Sequence, residues 1–180
     1  MSTPAVFFDR DGVVNVSPGA GYVLLTEDFQ FSPGIIDALA LCKQRGYKTI
    51  LVTSQQGVGK GLMSQADLDH IHAGMQRELS NHQAAFDGIY ACTHLAGTCD
   101  CRKPSPVMIQ NAARDHDLDL ARSWMIGDHD RDIQMGLNAG LPLAHTIRIE
   151  SEKPIVLTPG RILSNTAELP PILEKQLPTV

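Results

Sequence analysis

Short apolar, β-prone runs alternate with amphipathic helical stretches almost throughout this chain, and that alternation restricts the fold more than any other feature. Runs at Ala5–Phe8, Lys48–Thr53, Asp87–Cys92, Ser123–Ile126 and Pro142–Ile149 read as strands. Ser32-Pro33-Gly34 opens a helix, with Ser32 as N-cap, Pro33 at its first position, an apolar side of Ile35, Ile36 and Leu39, and Gly46 as the stop. Ser64 caps a longer helix, Asp67 completes a capping box, and Leu68, Ile71, Met75 and Leu79 form its core stripe. Further helices are expected from Ser105-Pro106 to about His116 and from Asp130 to Ala139. The tail, Arg161 to Leu177, reads as a short extended piece and then a helix from near Pro170. Such alternation folds as a parallel sheet wrapped by helices. The expected class is therefore α/β and Rossmann-like, in one domain spanning 1–180 with no linker to divide it.

At 180 residues the chain can bury a sizeable core. A formal charge of −5 argues against nucleic acid as partner, since a phosphate backbone calls for a basic face. No apolar segment reaches membrane-spanning length, and Met1-Ser2-Thr3-Pro4 lacks the charged and apolar regions of a secretory signal. A cytoplasmic monomer is expected, in which the four cysteines stay reduced and clustered ones suggest metal before disulfide.

In an open parallel sheet, ligands bind beyond the carboxyl ends of the strands. The first run ends in Asp9-Arg10-Asp11-Gly12. Side chains two apart in a strand share a face, so Asp9 and Asp11 converge, and two such carboxylates need a cation or a shared proton. Asp-x-Asp-Gly also occurs in ordinary turns. What lifts it above a turn is company at the other strand ends. Thr53 can offer a hydroxyl to a phosphate oxygen, with Ser54 and Gln55 beside it for substrate. Arg102 and Lys103 bring positive charge, where a solvated surface pair is the bland alternative. Gly127-Asp128 follows the fourth run, and Asp128 can share Mg²⁺ with Asp9. Asp132, one turn further on, would support the ligands from behind, and Asp130 would face solvent, although acids also favour helix N-termini for electrostatic reasons alone. Cys92, His94, Cys99 and Cys101 fall within ten residues and form the ligand set of a closed tetrahedral Zn²⁺ site. Four protein ligands leave no open position, so this zinc is expected to be structural and to aim Arg102 and Lys103. Cys42 reads as a small core residue, and His70 and His72 as surface or packing residues.

With Asp9-Arg10-Asp11-Gly12, Thr53, Lys103 and Gly127-Asp128 in this order, the chain resembles the phosphatases of the haloacid dehalogenase superfamily. The Cys92/His94/Cys99/Cys101 loop is similar to that of the subgroup without a cap domain that includes D-glycero-D-manno-heptose 1,7-bisphosphate and histidinol-phosphate phosphatases. The resemblance implies a Mg²⁺-dependent hydrolase of a small phosphorylated metabolite. Asp9 would be the nucleophile that forms an aspartyl-phosphate, and Asp11 the acid that protonates the leaving oxygen and later activates water. Mg²⁺ would be held by Asp9, the backbone carbonyl of Asp11, and Asp128. Thr53 and Lys103 would steady the phosphoryl group, and Arg102 would help select the substrate. For this division of labour the Asp9 and Asp11 pKa values must be pushed apart, with Asp11 keeping a proton when Asp9 does not.

The chain departs from that pattern at Val13, where many relatives carry Thr, and at His129, where the heptose enzymes often carry Lys. Its short loop from His94 to Cys99 matches the histidinol-phosphate group, whereas Asn15–Tyr22 and the Ile162–Pro170 tail match the heptose group, whose substrate is the favoured one. Two rivals from other classes are a receiver-type signalling domain and a zinc-organised binding module. The first would need a phosphoacceptor after the third strand, where Cys92 stands.

Overall fold

The computed structural model describes residues 2–180. Six strands form one sheet: β1 (Ala5–Phe8), β2 (Lys48–Ser54), β3 (Gly88–Cys92), β4 (Trp124–Gly127), β5 (Thr146–Ile149) and β6 (Arg161–Leu163). Their spatial order is β3-β2-β1-β4-β5-β6, and every neighbouring pair is parallel. Strand β1 lies in the middle, with Phe7 opposite Ile50 on one side and Met125 on the other. All four of its residues are fully buried. That is the burial a parallel strand needs when helices cover both faces.

Alternate side chains of β1 serve two cores. Val6 and Phe8 pack with helices α1 (Ile35–Gln44), α3 (Gln65–Asn81) and α6 (Leu169–Gln176), through Leu39, Met75 and Leu173 among others. Ala5 and Phe7 face Met108, Ile109 and Met135 from α4 (Val107–His116) and α5 (Asp130–Asn138). The short helix α2 (Gln56–Gly59) follows β2. A smaller cluster of Val23, Met63, Leu68 and Ile71 packs the 22–29 loop against α3. Among the described residues, no helix is long and apolar enough to cross a membrane.

The elements stand close to their sequence-based positions, with two corrections. Ser32 does not cap α1: the N-cap is Gly34 in the left-handed region, φ 75°, and the Ser32 carbonyl accepts from the Ile35 N–H at 3.2 Å. The fifth strand begins at Thr146, later than Pro142, because Leu143–His145 forms a 3-10 turn closed by the Thr146 hydroxyl donating to the Leu143 carbonyl at 2.7 Å. The extended piece of the tail proves to be the sixth parallel strand, paired Ile147 to Arg161. The capping box of α3 is as expected, with the Asp67 N–H donating to the Ser64 hydroxyl and the Ser64 N–H to the Asp67 carboxylate.

Candidate active site

Strand order reverses direction between β1 and β4, so the connections leaving these two strands diverge and open a crevice at their carboxyl ends. Asp9 follows β1 directly, and its N–H still pairs with the Ile126 carbonyl of β4 at 3.0 Å. Asp128 follows β4. The backbone then turns tightly: the Arg10 carbonyl accepts from the Val14 and Asn15 N–H groups at 2.8 and 3.0 Å. Gly12 takes φ +89°, and a Cβ on it would lie 2.6 Å from Asp128 Oδ2. A Cβ on Gly127 would likewise collide with that of Asp132. The two glycines thus admit the acids that the strand ends deliver.

Carboxylate oxygens of Asp9, Asp128 and Asp132 lie within 4.8 Å of one another, all on buried residues. Lys103 reaches into this cluster, its Nζ 2.6 Å from Asp9 Oδ1 and 2.9 Å from Asp132 Oδ1. Three carboxylates against the buried Lys103 ammonium, with the half-exposed Lys153 only at the edge of the cluster, leave an excess of negative charge out of water. Burial, and then the charges of Asp132 and Asp128, push the Asp9 pKa up to about 7 in spite of Lys103. Burial and Asp132 raise Asp128 as well. A divalent cation would offset that excess, and the oxygen-only donor set fits Mg²⁺. Asp132 also accepts from the His129 N–H at 3.0 Å, closing a capping box with His129 at the start of α5. His129 is therefore occupied as a cap: its Nδ1 accepts from the Arg131 N–H.

Asp11 points elsewhere. Its carboxylate accepts from Arg10 (3.0 and 3.2 Å to Oδ1), from Asn15 Nδ2 at 3.0 Å and from Gln55 Nε2 at 2.9 Å. Burial works to raise its pKa, yet the guanidinium and the two amide donors outweigh burial and hold it below the usual range. The two acids are thus pushed apart by their own surroundings, Asp9 upward and Asp11 downward. The cause is local, since Asp9 sits among acids and Asp11 among donors.

Thr53 is buried at the end of β2, and its hydroxyl accepts from Gln55 Nε2 at 2.8 Å. Gln55, expected to contact substrate, is fully buried and bridges Thr53 to Asp11; the cavity wall takes Ser54 and Gln56 in its place. The cavity itself has a volume of about 260 Å³ and is floored by Asp9, Asp11 and Asp128. The loop 17–22 walls one side, and Arg102, Arg131 and Lys153 bring three cations to it. Nη1 of Arg102 and Nε of Arg131 are buried without a partner among the described residues.

Sequence reasoning missed Arg131 and Lys153. Lys153 Nζ stands 3.9 Å from Asp128 Oδ2, on a loop after β5 whose course no local pattern reveals. That loop is held by Asp130, which accepts from the Val156 and Leu157 N–H groups at 2.8 and 2.9 Å and pairs with Arg148 at 3.5 Å. The expectation that Asp130 faces solvent is accordingly wrong: its carboxylate satisfies loop amides that no strand or helix would.

Cys92, His94, Cys99 and Cys101 come together after β3. Cys92 Sγ is 3.5 Å from Cys99 Sγ and 3.9 Å from His94 Nδ1, and Cys101 Sγ is 3.5 Å from the same nitrogen. Ligands 2.0–2.3 Å from a tetrahedral zinc stand about 3.5–3.8 Å apart, so the spacing fits that ion. Burial, and then the neighbouring thiols, push Cys101 up to about 12. A cation is what would let all three ionise together.

A family model described as "HAD-hyrolase-like" matches residues 100–149, which hold Lys103, Asp128 and Asp132. Among curated proteins, the D-glycero-beta-D-manno-heptose-1,7-bisphosphate 7-phosphatase of Escherichia coli strain K12 is 34% identical over 189 residues, covering 97% of this chain and 96% of the relative. That of Helicobacter pylori strain J99 is 42% identical over 137 residues, 75% of this chain and 78% of the relative. A crystal structure of D,D-heptose 1,7-bisphosphate phosphatase from B. bronchiseptica, complexed with magnesium and phosphate, superposes with a TM-score of 0.83 at 30% identity and covers 96% of this chain and 99% of its own. By this similarity along nearly its whole length, the chain belongs to the heptose-1,7-bisphosphate 7-phosphatase family of the haloacid dehalogenase superfamily.

Proposed function

We propose that the protein is a phosphate monoester hydrolase that removes the 7-phosphate of D-glycero-D-manno-heptose 1,7-bisphosphate through an aspartyl-phosphate on Asp9. The observation that carries this reading is the position of Asp9 on the cavity floor, 2.6 Å from Lys103 and in one cluster with Asp128. Asp9, Asp128 and the Asp11 carbonyl would hold Mg²⁺, with Asp132 behind them. Bound there, Mg²⁺ supplies positive charge that lets Asp9 ionise and that neutralises phosphoryl oxygens.

An Asp9 carboxylate oxygen attacks phosphorus, and the bond from phosphorus to the sugar oxygen breaks. That oxygen leaves with a proton from Asp11. In the free site Asp11 is ionised, but an arriving phosphoryl group adds negative charge beside it and raises its hold on a proton. Water then attacks the phosphorus of the acyl phosphate, Asp11 takes the proton, and Asp9 and inorganic phosphate are released. Lys103 and the Thr53 hydroxyl steady the phosphoryl oxygens through both steps. Cys92, His94, Cys99 and Cys101 would hold a structural Zn²⁺ that fixes the loop carrying Arg102 and Lys103. The protein would act as a cytoplasmic monomer on a small phosphorylated sugar, without nucleic acid or membrane.

Substrate choice follows from the cavity wall. Arg102, Arg131 and Lys153 favour a ligand with a second anionic group, such as a bisphosphate. Histidinol phosphate, the runner-up, carries an ammonium group that these cations repel. Both heptose bisphosphate anomers and histidinol phosphate, assayed with Mg²⁺ on wild type and Asp9→Asn, test this. Turnover of the bisphosphate by wild type alone is expected. Faster turnover of histidinol phosphate would overturn the substrate assignment, and activity in Asp9→Asn would overturn the nucleophile.

A further inference from the structure

We propose that His72, on α3, is a positioning residue for this reaction: it holds the Arg10 guanidinium, which in turn fixes the Asp11 carboxyl group at the cavity. The inference rests on the acid role given above to Asp11. Arg10 stands between the two catalytic aspartates, yet no atom of it reaches solvent. Its Nε and Nη2 donate to Asp11 Oδ1 at 3.2 and 3.0 Å, and Nη2 also reaches Oδ2 at 3.3 Å. The remaining nitrogen, Nη1, lies 3.3 Å from His72 Nε2.

A guanidinium only donates, so Nε2 must accept, which places the imidazole proton on Nδ1 and leaves the ring neutral. The surroundings enforce that state. Burial first, and then the charge of Arg10, push the His72 pKa down to about 4, so the ring remains an acceptor at neutral pH. The helix sets its aim: His72 follows Leu68 by four residues and precedes Met75 by three, both buried, and shares their face. A residue serving only as core filler on this face would be apolar, as Leu68, Ile71, Met75 and Leu79 are. An imidazole is found where the one guanidinium needs an acceptor. Without it a buried N–H is left unsatisfied, and Arg10 can regain a partner only by turning away from Asp11.

Positioning can be told from mere structural support by the leaving group. Departure of an alkoxide needs the proton from Asp11, whereas departure of p-nitrophenolate does not, and kcat/KM reports the step in which either leaves. His72→Leu is expected to lower kcat/KM for the sugar phosphate about tenfold, and for p-nitrophenyl phosphate less than about threefold. His72→Gln, whose amide oxygen accepts, is expected to recover most of the loss. Should His72→Leu fail to fold, His72→Met, unbranched and without a good acceptor, is expected to show the same split. Equal losses on both substrates, or no recovery in a folded His72→Gln protein, would overturn the proposal. Asp11→Asn serves as the control: if it shows no leaving-group split, the acid role itself fails. If it shows one and the His72 variants do not, only the positioning role fails.

Discussion

At the scale of single residues, the chemistry is concentrated in side chains whose charge is held at odds with their surroundings. His72 gives a prediction of its own. Its pKa lies near 4 in the folded protein, below an unfolded value near 6.5. The unfolded chain therefore binds the extra proton between these values, and the stability contributed by the neutral ring, complete above about 6.5, is lost as pH falls toward 4. Urea titrations across that window are expected to show wild type losing up to ~3 kcal/mol more than His72→Gln, and parallel profiles would refute it. Asp9 and Asp128 were legible in the sequence because each follows an apolar run, and a strand end is a fixed place in a parallel sheet. Asp11 was legible as a neighbour of the cavity, but its carboxylate turns to Arg10, Asn15 and Gln55 and does not converge with Asp9. Gln55, Asp130 and Lys153 were not, because their partners lie across loops: Gln55 turns inward to Asp11, Asp130 reaches the amides of residues 156 and 157, and Lys153 approaches Asp128. Arg131 was not, because its place on the cavity wall depends on where the loops around it settle. Their roles depend on tertiary approach, which no local pattern carries.

At the scale of elements, α3 and the cysteine loop do separable work. The capping box of α3 is exposed and local, so Ser64→Ala is expected to lower stability by about 1 kcal/mol with little change in activity. Thermal melts and p-nitrophenyl phosphate turnover check this, and a large activity loss would mean that the cap also sets the position of His72. Cys99→Ser is expected to abolish zinc binding and lower activity by misaligning Arg102 and Lys103. The sheet keeps its own two cores and should still unfold cooperatively. Metal analysis with circular dichroism tests this, and global unfolding would show that the loop holds up more than itself. Strands and helices were readable from periodicity, which depends only on which residues are buried. The start of β5 was not, because Pro142–Thr146 satisfies its backbone in a turn closed by a side chain. Nor was the start of α1, where Gly34 takes the cap position ahead of the better capping residue Ser32.

At the scale of the whole molecule, the reversal of strand order between β1 and β4 turns separate sequence motifs into one site. Five strand-to-loop junctions converge on one cavity, and acids arriving from two adjacent central strands cluster at its floor, where the proposed function places the cation. Activity is accordingly expected to require added Mg²⁺ after chelation and to be unaffected by removing loosely held zinc; restoration by zinc alone would contradict the assignment of the two metals. The convergence was foreseeable once the sheet was read as parallel, whereas the basic wall above it depends on how the loop after β5 folds back. The most direct test of the central claim is to quench the enzyme during turnover of the heptose bisphosphate with Mg²⁺, reduce any acyl phosphate with borohydride, and map the product by peptide mass spectrometry. The expected result is homoserine in place of Asp9 and nowhere else. Reduction at another carboxylate, or none at Asp9 under conditions where turnover is complete, would contradict it.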